Sequence, residues 1–166
     1  MSPVGKIPGG PRGLRRRRAG VTLLELMIVA AMAAIIAALA MPSWARHKEK
    51  NQIAQAAADI RSLEVPIERF AADNGGRLPR TLAELGSSGL LDPWGTPYQY
   101  LPLDDINGNG QARKDKNLVP LNTDYDLYSM GPDKDSRPPV TASMSRDDIV
   151  RAYDGRVVAK VADLDP

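Results

Sequence analysis

Four consecutive arginines, Arg15 to Arg18, lead into Ala19 and Gly20, and the 21 residues that follow, Val21 to Met41, hold a single charged side chain. A run of about 20 apolar residues is long enough to cross the hydrocarbon core of a bilayer as a helix. Within lipid a helix satisfies its own backbone groups, which an isolated strand or loop cannot do. The lone charge is Glu25, five positions beyond Gly20. An ionisable residue at membrane depth is expensive and points to function. The arginines hold the N-terminus on the cytoplasmic side by the positive-inside rule. An ordinary secretory signal places its cleavage site after a short apolar core. Here the small residue comes before the run, so a cut at Gly20 leaves the run in the mature chain.

The leader also dominates the charge. Of 22 basic residues, six lie in residues 1–20 with no acid among them, so the rest of the chain sets 16 basic against 20 acidic residues, a net of −4. The sequence pI near 9.0 therefore belongs to the leader and gives no ground for a nucleic-acid partner. The leader, rich in Pro and Gly, is expected to have no fold of its own. The chain has no cysteine, which excludes disulfides and thiolate metal sites. Its 166 residues suit one modest domain plus an anchor.

Beyond the anchor the helical pattern resumes. Ile53, Ala56, Ile60, Leu63, Ile67 and Phe70 recur at three- and four-residue steps and form one apolar face. Lys48, Lys50, Asp59, Arg61, Glu68 and Arg69 are expected on the opposite face. Pro42 either kinks one long helix or begins a second, and Pro66 is expected to bend it. Asp73-Asn74-Gly75-Gly76 is a helix stop. Thr81-Leu-Ala-Glu84 has the spacing of a capping box and predicts a short helix. Strands are expected at Tyr98–Tyr100, Tyr125–Ser129 and Arg156–Lys160. The fold class is α+β, a long N-terminal helix lying on a small antiparallel sheet. Four segments follow: a leader (1–20), a membrane and filament-core helix (21–41), an amphipathic continuation (42–74) and a β-sheet region with a C-terminal loop (75–166).

Gly20 followed by Val21-Thr-Leu-Leu-Glu-Leu-Met-Ile-Val29 resembles the N-terminus of type IV pilins and pseudopilins. The soluble half resembles more narrowly the major pseudopilins of type II secretion systems. Asp59-Ile-Arg-Ser-Leu63, Asp73-Asn-Gly75, Leu91-Asp-Pro-Trp-Gly-Thr-Pro-Tyr-Gln-Tyr100 and Tyr125-Asp-Leu-Tyr-Ser-Met-Gly-Pro-Asp133 carry that likeness. The Asp-Pro-Trp-Gly block reads physically as a stable turn. The segment from Leu101 to Asn122 departs from the pattern, as an insertion or an altered connection between strands.

The resemblance implies a prepilin peptidase that cuts between Gly20 and Val21, and N-methylation of Val21, although the family more often has Phe at that position. It implies a homopolymer in which each Glu25 meets the Val21 amine of a neighbour. Both charges are costly in hydrocarbon, so pairing selects the axial register. The bland alternative leaves Glu25 solvated at the membrane surface. Minor pseudopilins, an inner-membrane platform and an assembly ATPase are the other implied partners. The implied location is the inner membrane, crossed once, with the C-terminal domain in the periplasm.

The resemblance further implies calcium in the loop from Met130 to Ile149. Met130 would offer its carbonyl and Asp133 its carboxylate, with Asp147 or Asp148 from the far end and Asp135 as a further candidate. Calcium takes oxygen ligands of these kinds. A solvated acidic loop is the alternative. Asp105-Ile-Asn-Gly-Asn109-Gly110 matches the start of an EF-hand loop, but Lys116 stands where the bidentate Glu belongs, and a plain Asn/Gly turn explains it as well. The single histidine, His47, follows the apolar run, and no nucleophile, base or phosphate loop accompanies it. The expected activity is thus structural, a pseudopilus subunit that drives export. The alternatives are a type IV pilin and, from another class, a membrane-anchored periplasmic calcium-binding module or enzyme.

Overall fold

The computed structural model describes residues 20–164 except 88, 105, 107, 109 and 117, with the backbone alone at 40–43. Two units divide the chain at Ser43 and Trp44. One helix, α1 (Leu23–Asp73), begins in the first unit and ends in the second, and its helical bonding continues through Pro42 and Pro66.

In the first unit every described side chain of α1 except Ala37 is exposed, including Leu23 at 80% and Leu39 at 75%. No described residue of that unit covers them. Among the described residues α1 is the one helix long and apolar enough to cross a membrane.

In the second unit α1 packs on a four-stranded antiparallel sheet in the order β1 (Gln99–Pro102), β2 (Tyr125–Ser129), β3 (Ile149–Ala152), β4 (Val157–Lys160). The apolar stripe does what its spacing predicts. Ala56, Ile60, Leu63 and Ile67 are buried against Tyr98, Tyr125, Leu127, Ile149 and Val158, with Ile53 at the margin. Asp59 departs from expectation: it is half-buried and accepts the Tyr98 hydroxyl at 2.9 Å. On the other side of the sheet Val150 and Ala152 meet Leu121, Val140 and Val161. The sheet is therefore covered on both faces, by the helix and by the long connections.

Two local expectations change. Thr81 is extended and makes no side-chain cap, and the segment it opens, Leu82–Leu85, is a 3-10 turn. Glu84 instead accepts the Arg80 backbone N–H at 3.3 Å, one residue earlier than a capping box requires. The second change is β3. The sequence pattern predicts no strand there, and it is an inner strand with all four residues buried.

Candidate functional site

The N-terminal constellation begins with backbone geometry. Thr22 precedes α1, accepts the Glu25 N–H on its hydroxyl at 3.2 Å and the Leu26 N–H on its carbonyl at 3.1 Å. Thr22 is thus the cap and Glu25 lies in the first turn, where the helix dipole favours a carboxylate. Gly20, Val21 and Glu25 are all exposed. Cleavage after Gly20 would put a new cationic amine within one turn of this acid. The Thr-x-x-Glu spacing was visible in the sequence and was not used there.

Two buried guanidinium nodes hold the soluble unit. Arg151, on β3, donates from Nε to Glu64 Oε1 of α1 at 2.8 Å and pairs both terminal nitrogens with Asp124 at 2.7 Å. Its guanidinium carbon lies 4.0 Å from the centre of the Tyr125 ring. Burial works against its charge, but the bonds to Asp124 and Glu64 more than offset that and hold its pKa above the ordinary value. Gly155, at φ +80°, gives this node room, since a Cβ there would stand 2.8 Å from Glu64 Oε1.

Arg113 forms the second node on the opposite side of the sheet. Its terminal nitrogens donate to Ser136 Oγ, to the Arg137 carbonyl and to Asp148 Oδ2, at 2.5, 2.9 and 2.5 Å. The Tyr128 ring lies under it at 4.2 Å. Asp148 is fully buried, and burial pushes its carboxyl up to about 6, with Arg113 and then Ser136 drawing it back. Asp148 Oδ1 has no hydrogen-bond partner.

The remaining loop carboxylates act locally. Asp133 Oδ1 accepts the Asp135 N–H at 2.9 Å, Asp135 Oδ1 accepts the Ser136 N–H at 2.8 Å, and Asp147 Oδ2 accepts the Asp133 N–H at 3.3 Å. Asp133 and Asp147 are thus brought together, with half-buried Met130 three residues upstream of Asp133. Asp148 is fully buried and pairs with Arg113 instead. Among the described residues no group of three acidic or histidine side chains is placed to hold a metal. Asp105 and Asn109 lie outside the described residues.

The Asp-Pro-Trp-Gly turn braces Ser129, the last residue of β2 before the loop. Asp92 accepts the Trp94 and Thr96 N–H groups at 3.0 and 2.8 Å on Oδ1 and the Ser129 hydroxyl at 2.6 Å on Oδ2. Ser129 in turn accepts the Gly131 N–H at 3.1 Å.

The family of the prokaryotic N-terminal methylation motif matches residues 15–41, the leader junction and the apolar half of α1. Type II secretion system core protein G of Pectobacterium carotovorum subsp. carotovorum is 32% identical over 147 residues, covering 75% of this chain and 81% of that one. The chain belongs to the type II secretion system core protein G family. The Aeromonas hydrophila core protein G is 32% identical over 142 residues, with 72% of this chain and 86% of that one aligned. The Pseudomonas aeruginosa core protein G is 28% identical over 139 residues, with 72% and 87% aligned. No solved structure matches the chain at a significant level.

For a core protein G chain the two nodes are the residues that sequence reasoning missed. Arg113 and Asp148 are 35 positions apart, and Arg151 and Glu64 are 87 apart. No periodicity links residues at such separations, and Arg113, followed by Lys114 and Asp115, reads as surface. Arg113 also lies in the Leu101–Asn122 segment, where the family pattern offered no guide.

Proposed function

We propose that this chain is the major subunit of a type II secretion pseudopilus, a periplasmic filament whose extension drives folded proteins out of the cell. The exposed apolar half of α1 carries the reading. Monomeric soluble proteins rarely expose such surface. A bilayer covers it before assembly, and neighbouring helices cover it in a filament. A prepilin peptidase processes the chain at Gly20, methylation follows at Val21, and the chain sits in the inner membrane with its sheet in the periplasm. The platform, the ATPase and minor pseudopilins act on the resulting homopolymer. The core protein G relatives and the methylation motif support this reading.

Glu25→Ala tests it. An unpaired amine and an unpaired carboxylate in hydrocarbon each disfavour a misregistered subunit. Removing the acid should leave membrane insertion intact, while cross-linked ladders and export of secreted proteins both fall at least about tenfold, the change that 1.4 kcal/mol produces. Ladders and export at wild-type levels would sink the register mechanism. A fibre on the cell surface, with export unaffected by deletion of the chain, would instead identify a type IV pilin.

A further inference from the structure

We propose that the guanidinium of Arg113 ties the first half of the 130–149 loop to its far end, in the role that the family resemblance gives to calcium. The first half of the loop supplies the Ser136 hydroxyl and the Arg137 carbonyl, and the far end supplies the Asp148 carboxylate. These are a hydroxyl, a carbonyl and a carboxylate, the oxygen types that calcium takes. Here N–H groups already occupy them. Ser136 closes the arrangement by donating its own hydroxyl to Asp148 Oδ2 at 2.6 Å.

The position of Arg113 is built from its backbone. Its N–H donates to buried Asp126 Oδ2 at 2.6 Å and its carbonyl accepts the Leu121 N–H at 2.7 Å. The side chain is 3% exposed and Asp148 is 0% exposed. A divalent ion on Asp148 Oδ2 would have to displace a buried cation. Calcium needs about six to eight oxygens. Asp148 Oδ1 stands without a partner, but it is one oxygen, and among the described residues no group of three carboxylates is gathered to complete a shell. The residues present thus do not fit calcium at Asp148.

The difference has a consequence. Stabilisation by a bound ion rises and falls with its concentration. An arginine is covalently attached and charged at every physiological pH. The Leu101–Asn122 segment, which departs from the family pattern, delivers this internal cation, so the loop stays ordered when calcium is scarce.

The test uses the full chain in detergent micelles, with about 1 mM calcium chloride or with excess EGTA. Hydrogen exchange by mass spectrometry should show equal protection of residues 130–149 in both. The melting temperature should agree within about 1 °C. Arg113→Lys keeps a positive charge but loses the planar fork that reaches three acceptors at once. It should lose protection in 130–149 while β2 and α1 keep theirs. Faster loop exchange of the wild type in EGTA, or a melting temperature that calcium raises by more than about 5 °C, overturns the proposal. Unchanged loop protection in Arg113→Lys overturns it too. Should that variant fail to fold, the wild-type comparison decides alone. None of these readings depends on filament assembly.

Discussion

Arg151 shows how much can rest on one side chain. It reaches α1 through Glu64, the entry to β2 through Asp124, and the face of Tyr125. Its own side chain is 4% exposed and that of Glu64 is 15% exposed. Removing one partner of a buried pair leaves the other charge without compensation, which is worse than never having had the pair. Arg151→Ala should therefore lower the unfolding free energy by about 3 kcal/mol. Arg69→Ala, whose ion pair to Asp73 lies 4.0 Å apart on an exposed face, should change it by less than about 0.5 kcal/mol. Urea denaturation of the two variants side by side checks the contrast.

At the scale of elements, the turn that opens the C-terminal loop is closely packed against the segment that ends it. Gly131 has φ +66°, and a Cβ there would lie 2.6 Å from the Asp147 carbonyl oxygen, a backbone atom that cannot simply swing aside. Gly86 has a similar φ of +72° with nothing within 4 Å of a Cβ. Alanine at Gly86 should cost about 1 kcal/mol, the left-handed strain alone. Alanine at Gly131 should cost about 2–4 kcal/mol, strain plus overpacking. Thermal melts of both variants separate the two contributions. The elements also divide by what sequence can reveal. The α1 stripe was legible because Ala56, Ile60, Leu63 and Ile67 repeat at a helical period and meet one surface. β2 was legible because aromatic and apolar residues cluster between turn residues. β3 was not, because it is buried on both faces and carries Arg151 in its middle. Such a strand shows neither alternation nor an uninterrupted apolar run. The candidate site divides in the same way. Gly20, Val21 and Glu25 form a local pattern that can be read directly, whereas the pairing of Asp148 with Arg113 exists only after folding.

For the whole molecule, processing changes electrostatics as well as length. Cleavage after Gly20 would remove six basic residues and take the net charge from +2 to −4. It would also create the Val21 amine, the cation proposed to meet Glu25, so an unprocessed chain would lack half of that pair. Intact mass of membrane-extracted protein should correspond to a chain that starts at Val21, with one added methyl group if methylation follows. A mature chain that keeps Arg15 to Arg18, or one that starts near Ser43, would contradict the order of events. The Glu64–Arg151–Asp124 node carries a further meaning in a filament that is pushed and pulled. A subunit drawn along its α1 axis experiences load parallel to that axis, which tends to slide helix past sheet. Apolar packing resists separation well and sliding less well. The Arg151 guanidinium is fastened to the sheet side by Asp124, so its short bond to Glu64 must stretch before any slip begins. Within the soluble unit, Arg151 acts as a shear pin between helix and sheet.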